Sequence, residues 1–325
     1  MLPRYAVLAT LLVQLSIPRM LPAQSSPSVN EGYVDAGNGV RLFYRLLGRG
    51  RDTLVIIHGG PGFSSSYFGH DLDALVGTGS GHALLFYDQR GAGRSTLVKD
   101  SAALTGARFA EDLEAVRRHF RFDKLTVLGH SWGAGVVALY AVQYPRRLGR
   151  VVIVGGIPLT AQGLTAFFGG LRAGRDSATR QRMEQWNAAL EANPEDQAAC
   201  RESNALFFKP FFVDTTGATL RRVDFCGDPA ASRRNSLLVN RYVWASLGPY
   251  DWRPAMRHVA APTLIMHGER EVIPREYARE WAATMPNARL LIMPGVGHFL
   301  YVEDPARFFN AVDAFLAGGW PSGVQ

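Results

Sequence analysis

The first feature able to do chemistry is a serine enclosed by glycines. The segment Gly129-His130-Ser131-Trp132-Gly133 matches Gly-x-Ser-x-Gly, between an apolar run typical of a buried strand and a segment that predicts a helix. In such a turn the glycines avoid clashes and the serine hydroxyl is presented at the edge of a sheet. Backbone N–H groups at the helix start lie beside any negative charge that develops there. The pattern predicts Ser131 as a nucleophile.

A serine hydroxyl needs a base, which is itself oriented by an acid. Where this motif joins a strand to a helix, the expected chain order is Ser, acid, His. His298 lies in Gly295-Val296-Gly297-His298-Phe299, after the last predicted strand and before the last predicted helix. Loops at the carboxyl ends of strands collect ligand chemistry in open α/β sheets. We therefore predict His298 as the general base.

The orienting acid is expected after the predicted strand 263–266. Two carboxylates follow that strand, Glu269 and Glu271, and Glu271 is the better placed to face the histidine loop. Glu269 reaches that loop only if the segment bends differently, so it is interpreted as a solvated carboxylate. The alternative is that Glu271 is a surface charge and an Asp elsewhere orients His298. We predict Glu271 as the acid.

A glycine-rich segment supplies the remaining requirement, donors for an oxyanion. His58-Gly59-Gly60-Pro61-Gly62 follows a buried apolar run, and its glycines let the backbone approach a substrate oxygen closely. The N–H of Gly60 and the N–H of Trp132, the residue after the nucleophile, are the predicted donors. A phosphate-binding loop is the competing interpretation, and it fails because the Lys-Ser/Thr ending is missing and the spacing is wrong.

Strands and helices alternate on both sides of a helical stretch. The predicted strands are 40–47, 53–57, 82–87, 125–128, 150–154, 263–266 and 289–293, and the predicted helices include 109–120, 132–144, 276–285 and 305–316. This alternation predicts an α/β fold with a mostly parallel sheet and helices on both faces. We assign 25–157 and 253–325 to this core and 158–252 to a helical cap inserted late in the sheet. Residues 318–325 are predicted to be a frayed tail.

The sequence resembles the prolyl iminopeptidase group of the α/β hydrolases. Three segments carry the resemblance: the glycine-rich segment 58–62, Asp88-Gln89-Arg90-Gly91-Ala92-Gly93-Arg94-Ser95, and the serine motif 129–133. The resemblance covers about residues 32–157 and 253–316. It implies an α/β-hydrolase fold, acyl-enzyme formation on a small substrate and, as one candidate reaction, release of N-terminal proline from peptides. It assigns Ser131, His298, Gly60 and Trp132 the roles predicted above. Asp88 and Arg90 are interpreted as a structural pair that holds a loop beside the pocket.

The chain departs from that group at two points. Glu271 stands where the group generally has Asp, and no Trp is followed by Glu to bind a substrate amine. The candidate amine ligands of the cap are each interpreted as solvated: Glu184, Glu191, Glu195, Asp196 and Glu202. An esterase or lactonase of the same fold is therefore an alternative, and a non-catalytic small-molecule-binding protein is an alternative of another class. A dehalogenase or epoxide hydrolase would carry a carboxylate in place of Ser131.

Composition and the N-terminus indicate where the protein acts. The 325-residue chain is 47% hydrophobic and 19% charged, and its net charge of +7 comes from scattered basic residues. That scatter disfavours nucleic-acid binding. A signal peptide over 1–24 is predicted from Arg4, the apolar stretch 6–17 and the small residues near 22–25. The protein is therefore expected to be secreted or periplasmic, with an uncleaved membrane anchor as the alternative.

In an oxidising compartment Cys200 and Cys226 are expected to form a disulfide. A small molecule or short peptide is the expected substrate, and no metal or organic cofactor is implied, because all the reacting groups belong to the protein.

Overall fold

The computed structural model describes residues 27–50, 52–77 and 82–325, so the predicted signal peptide lies outside the described residues. Its strands are β1 (Val29–Asp35), β2 (Arg41–Leu47), β3 (Asp52–Ile57), β4 (His82–Tyr87), β5 (Leu125–His130), β6 (Leu148–Val154), β7 (Thr263–Gly268) and β8 (Ala288–Met293). They form one sheet in the order β1-β2-β4-β3-β5-β6-β7-β8. From β4 to β8 all neighbours are parallel, and β1 and β2 pair antiparallel at one edge. The predicted mostly parallel sheet is confirmed.

The helices connect these strands. They are α1 (Ala74–Gly77), α2 (Gly106–His119), α3 (Trp132–Gln143), α4 (Ala161–Ala173), α5 (Ser177–Ala192), α6 (Gln197–Phe208), α7 (Gly217–Leu220), α8 (Ala230–Leu247), α9 (Arg253–Met256), α10 (Arg275–Thr284), α11 (Leu300–Glu303) and α12 (Pro305–Leu316). The predicted helices 109–120, 132–144, 276–285 and 305–316 correspond to α2, α3, α10 and α12, and their bounds agree to within three residues. In the part of the chain that the structure describes, no helix is long and apolar enough to cross a membrane.

The serine turn and the glycine-rich segment lie where the order of the strands across the sheet reverses. β4 lies on one side of β3 and β5 lies on the other, so the chain reverses its progress across the sheet at β3. In open α/β sheets a crevice forms at this point, beyond the carboxyl ends of the two central strands. β4 is buried along its whole length, and β3 and β5 are buried along most of theirs, so their ends are held rigidly. The segment 58–62 follows β3, and Ser131 follows β5.

Between β6 and β7 the chain is helical, and its two ends meet. Thr160 and Asp251 form an antiparallel bridge, flanked by hydrogen bonds from Ala161 N to Tyr250 O (2.9 Å) and from Trp252 N to Leu159 O (2.9 Å). We call these six residues, 159–161 and 250–252, the neck.

A disulfide links two parts of the segment above the neck. Cys200 of α6 is bonded to Cys226, which precedes α8, and their Cα atoms are 5.9 Å apart. The predicted bridge is confirmed.

The two ends of the described chain differ from the sequence predictions. β1 was not predicted, because Asn, Glu and Gly interrupt its apolar residues and most of it is exposed at the sheet edge. The prediction of a frayed tail is wrong: Gln325 N donates to Leu290 O (2.8 Å) and Leu290 N donates to Gln325 O (3.1 Å). The Trp320 ring also packs 5.3 Å from that of Phe315. The tail is fixed because β8 is an edge strand that offers unpaired backbone groups.

Candidate active site

Ser131 occupies the sharp turn between β5 and α3. Its φ of 55° and ψ of −117° are strained for a residue with a side chain, and its N–H donates to Val154 O at 2.9 Å. A Cβ at Gly133 would lie 2.2 Å from Ile57 O, so only glycine lets α3 pack this closely on β3. Strain of this kind persists when the surroundings hold the residue in place, and it clusters at functional sites. The turn leaves Ser131 half-buried.

Glu271 and His298 meet beside this turn. The loop after β7 carries Glu271, the loop after β8 carries His298, and both side chains are almost fully buried. Both carboxylate oxygens lie 2.9 Å from His298 Nδ1, within the distance expected of an orienting acid. Oε1 also accepts the N–H of Ile273 at 3.1 Å. Glu269 is exposed, as expected of a solvated carboxylate, but it does reach the histidine loop, where it accepts the N–H of Gly295 at 3.0 Å. The expectation that it does not reach that loop is wrong, although its bond goes to the backbone of the loop and not to the ring of His298.

Gly155, at the end of β6, provides the space for this pair. A Cβ there would lie 2.8 Å from His298 Nδ1 and 2.9 Å from Glu271 Oε2. The residue also has a φ of +52°, a backbone angle that residues with a side chain rarely adopt. A glutamate is one methylene longer than an aspartate, and the missing side chain at residue 155 leaves room for it.

Electrostatics keep Glu271 ionised. Burial alone would raise the pKa of its carboxyl. The neighbouring imidazole of His298, the hydrogen bond to that ring and the nearby His267 outweigh burial, so the pKa is lowered. An ionised carboxylate accepts only, so it fixes the proton of His298 on Nδ1 and leaves Nε2 as the basic atom.

The side chains of Ser131 and His298 are not hydrogen-bonded to each other in the described part of the chain. Among the described residues the ring of His298 bonds to Glu271, and no hydrogen bond joins it to Ser131. Such bonds are often long or misaligned in free enzymes and tighten when substrate binds. The backbone of His298 is nevertheless fixed, because its N–H donates to Phe211 O at 2.8 Å.

Two backbone donors are available for an oxyanion. The N–H groups of Gly60 and Trp132 have no acceptor in the described part of the chain, whereas the N–H of Gly59 donates to Tyr67. Gln89 connects the glycine-rich segment 58–62 with the serine turn by hydrogen bonds. Its side-chain amide donates to His58 O (2.8 Å) and accepts from the Trp132 indole (3.0 Å), and its own N–H donates to His58 Nε2 (3.0 Å).

The predicted pairing of Asp88 with Arg90 is wrong. Arg90 instead binds the carboxylate of Asp112 on α2, at 2.7 Å and 2.5 Å, with both side chains buried. Asp88 accepts from the backbone and hydroxyl of Ser65 and from the N–H of Arg94. Both residues hold the loop after β4 in place, as expected, but through other partners. Asp112 and Ser65 lie outside the segment 88–95, and Arg94 contributes only its backbone N–H.

Aromatic residues of the helical segment lie over the site. The Phe211 ring is 5.2 Å from that of His298, and the Trp244 indole is 4.9 Å from that of Trp132. Phe225 packs 4.2 Å from Phe63, which follows the oxyanion segment. These contacts place apolar side chains around His298, the turn that carries Ser131 and the glycine-rich segment 58–62.

The five candidate amine ligands do not converge on the site. Glu184, Glu191, Glu195 and Glu202 are exposed, and Glu202 lies 3.7 Å from Arg182. Asp196 caps the start of α6 by accepting the N–H of Ala199. Another carboxylate of the segment, Asp228, reaches the loop after residue 62 and accepts the hydroxyls of Ser64 and Ser66.

A strained serine turn at the switch point of a mostly parallel sheet, with a buried His–Glu pair beside it, defines the class of protein as an α/β-type hydrolase. The profile of the alpha/beta hydrolase fold family matches residues 52–305, and the chain belongs to that family.

Relatives and solved structures agree with this assignment. The chain is 26% identical over 304 residues to a proline iminopeptidase of Lactobacillus delbrueckii subsp. lactis, covering 89% of this chain and 98% of the relative. A crystal structure of proline iminopeptidase from Mycobacterium smegmatis superposes with a TM-score of 0.66 at 22% identity, over 89% of this chain and 98% of the other. An esterase from Exiguobacterium antarcticum does so with a TM-score of 0.65 at 17% identity, over 87% and 98%. At these identities the two structures establish the fold alone.

Proposed function

We propose that the protein hydrolyses a small carbonyl substrate through an acyl-enzyme, with Ser131 as nucleophile, His298 as general base and Glu271 as orienting acid. The observation that carries the proposal is the contact of both Glu271 oxygens with His298 Nδ1, in a buried pair beside the serine turn. Both the carboxylate and the imidazole are buried, and they lie in the loops that follow β7 and β8. They match the arrangement that activates a serine.

The proposed reaction proceeds in two halves. His298 Nε2 takes the proton of Ser131 as Oγ bonds to the substrate carbonyl carbon, and Glu271 stabilises the imidazolium that forms. The negative charge on the carbonyl oxygen is held by the free N–H groups of Gly60 and Trp132. His298 then protonates the leaving group as its bond to the carbonyl carbon breaks. Water, deprotonated by the same imidazole, attacks the acyl-enzyme and releases the acid with Ser131 restored.

Peptides with an N-terminal proline are the first candidate substrates. This specificity is suggested by the proline iminopeptidases that align along nearly the whole chain. The compact, apolar prolyl ring would suit the aromatic surroundings of His298 and Trp132. The free amine of such a substrate needs an acceptor or an anion, and Asp228 is a cap carboxylate that bonds to Ser64 and Ser66, just after the segment 58–62.

Esters or lactones are the second candidates. The specific observation in their favour is that none of the five candidate amine ligands converges on the site, because four are exposed and Asp196 caps a helix. An ester carries no amine and needs none of them. The apolar residues over the site would then bind the acyl or alcohol portion.

A substrate panel separates these candidates. Purified protein would be assayed with prolyl 4-nitroanilide, a short-chain nitrophenyl ester and an acyl lactone, with Ser131→Ala as the matched inactive control. Turnover of the prolyl amide well above the ester supports the peptidase, and the reverse order supports the esterase. Failure of a fluorophosphonate probe to label Ser131, with no turnover of any substrate, would instead indicate a non-catalytic binding protein.

We further propose that the enzyme is secreted or periplasmic. The leader-like pattern over residues 1–24 supports export, and so does the disulfide between Cys200 and Cys226, since such bonds persist in oxidising compartments. The test is to express the full chain in a bacterium and sequence the N-terminus of the protein recovered from each compartment. A mature chain beginning near residue 25 outside the cytoplasm is expected, and intact chain retained in the cytoplasm would contradict the proposal.

A further inference from the structure

A chain of buried hydrogen bonds joins the three segments that the reaction needs. The N–H of Gly59 lies 2.6 Å from the hydroxyl oxygen of Tyr67, which lies 2.7 Å from His130 Nδ1. On the other side of the ring, His130 Nε2 lies 3.2 Å from the carbonyl oxygen of His298. Gly59 precedes the proposed donor Gly60, His130 precedes the nucleophile, and His298 is the base. The chain therefore connects the oxyanion segment, the serine turn and the base loop.

The direction of every proton in this chain is determined. The carbonyl of His298 can only accept, so in a neutral His130 the proton lies on Nε2 and Nδ1 is an acceptor. The Tyr67 hydroxyl, which accepts the N–H of Gly59, therefore donates its single proton to His130 Nδ1. His130 then carries its proton on Nε2 and donates it to the carbonyl of His298. A charged His130 would leave two donors facing Tyr67, and burial together with the nearby ring of His298 holds the pKa of His130 well below its usual value. The neutral imidazole makes all three bonds.

We propose that Tyr67 is a positioning residue, which acts through His130 to hold Gly59 and the His298 loop in place around Ser131. This inference rests on the proposed function. Tyr67 occupies the N–H of Gly59, so that the N–H of the next residue, Gly60, is the one left free for the oxyanion. Its bond through His130 fixes the backbone of the base, whose ring is fixed separately by Glu271. Neither Tyr67 nor His130 touches the reacting atoms in this scheme.

A role in packing alone makes a different prediction. The centroid of the Tyr67 ring lies 4.3 Å from that of Phe68 and 5.1 Å from that of Phe225, with the rings tilted in both pairs. Tyr67→Phe keeps the ring and removes only the hydroxyl, so a packing role predicts no change. Tyr87→Phe is the matched control, because Tyr87 is equally buried and its hydroxyl has no hydrogen-bond partner in the described part of the chain.

The experiment measures how fast a fluorophosphonate phosphonylates Ser131, resolving the maximal rate constant from the inhibitor affinity. This probe needs the nucleophile, the base and the oxyanion donors, but no knowledge of the substrate. Each lost buried hydrogen bond is expected to lower the rate about two- to tenfold. Tyr67→Phe removes two such bonds, so it should lower the maximal rate roughly 4- to 100-fold with the inhibitor affinity little changed. Tyr87→Phe should react like the wild type, and Ser131→Ala should not be labelled. A cooperative thermal transition of Tyr67→Phe with a midpoint well above the assay temperature would show that the fold is intact, even though the two lost bonds lower that midpoint.

A second variant tests the path through His130. His130→Asn retains an acceptor for Tyr67 near the position of Nδ1 but has no donor that reaches the carbonyl of His298. It should lose a similar factor, and the double variant should lose less than the product of the two single losses, because both interrupt one chain. In ¹⁵N NMR spectra His130 should be neutral with its proton on Nε2, and Tyr67→Phe should shift the Nδ1 resonance.

The outcomes distinguish the inference from the proposed function. Labelling of wild-type Ser131 with an unchanged rate in Tyr67→Phe, or multiplicative losses in the double variant, would overturn the positioning role and leave the proposed function standing. Absence of labelling at Ser131 in the wild type would overturn the proposed function and the positioning role with it, even with the His130 resonances as expected.

Discussion

Replacement of Glu271 by Gln is the sharpest test of the proposed triad. The variant keeps the size of the side chain and removes its charge and one of its two acceptor oxygens. Oε1 accepts both the N–H of Ile273 and the Nδ1–H of His298, so the oxygen of a glutamine is expected to stay there. The NH₂ group would then take the place of Oε2, 2.9 Å from the same Nδ1. A donor would face a donor, which favours the imidazole tautomer with its proton on Nε2.

The expected loss follows from that geometry. With the proton on Nε2, His298 cannot accept the proton of Ser131, and the imidazolium formed in the reaction has no buried counter-charge. Disrupting the orienting acid of a serine triad lowers kcat by up to about 10⁴. Because one oxygen of the Gln variant can still accept from Nδ1–H, we expect a loss of about 10² to 10⁴, which corresponds to about 3 to 5 kcal/mol of transition-state stabilisation.

The assay compares kcat for the best substrate of the panel in wild type, Glu271→Gln, Glu271→Asp and Glu269→Gln. Glu269 is the matched control, because it is an exposed carboxylate two residues away that binds Gly295 rather than His298. Glu271→Asp keeps the charge but draws it back by one methylene, so its activity should lie between wild type and Gln. A near-normal Gln variant, or a Glu269→Gln variant with the larger loss, would show that another acid orients the base.

Three further outcomes are expected. Ser131→Ala should lower turnover by about 10⁴ to 10⁶ with the thermal midpoint retained, and activity above about a tenth of wild type would refute the nucleophile. Alkylation without reductant should leave the intact mass unchanged, and replacing Cys200 and Cys226 by Ser should lower the free energy of unfolding by about 3 kcal/mol. Burial lowers the pKa of His58 to about 4, so its neutral form stabilises the fold above pH 6.5, and this contribution is lost as the pH falls towards 4. In urea unfolding, the free energy of unfolding of the wild type should fall by about 3 kcal/mol more than that of His58→Gln between pH 7 and pH 4. Equal decreases in the two proteins would contradict the lowered pKa of His58.

The parts of the site that were predictable are those encoded locally or by chain order. Ser131 is marked by its own glycines, and its strand and helix neighbours are strongly patterned. His298 and Glu271 carry no comparable motif, but a parallel sheet brings the carboxyl ends of successive strands to one edge, so their places after β8 and β7 were sufficient. The geometry of the Glu271–His298 pair agrees with the expectation, while its catalytic role stays a prediction.

What escaped prediction depends on residues distant in the chain. Tyr67 lies on a short turn with no periodicity, and its contact with His130 exists only because β3 and β5 are neighbours in the sheet. Arg90 was assigned to the nearest acid in the sequence, whereas Asp112 of α2 is nearer in space. A local sequence pattern indicates which residues are polar and buried, but it does not indicate which hydrogen-bond or ion-pair partner each of them has in the fold. Gln89 was missed for the same reason.

Because the neck brings its two ends together, the helical segment between residues 161 and 250 is a cassette, that is, a unit that can be exchanged as a whole. Because residues 159–161 and 250–252 already lie side by side, joining them by a short turn would close the core without moving β6 or β7. An insertion between two such fixed points costs the core little, since loop-closure free energy grows only slowly with length. Its sequence is then free to diverge while the strands beneath it are not. Exchange of the cassette between relatives, with the neck as the splice point, is expected to transfer substrate preference as long as the new segment supplies a carbonyl for the N–H of His298, as Phe211 does here.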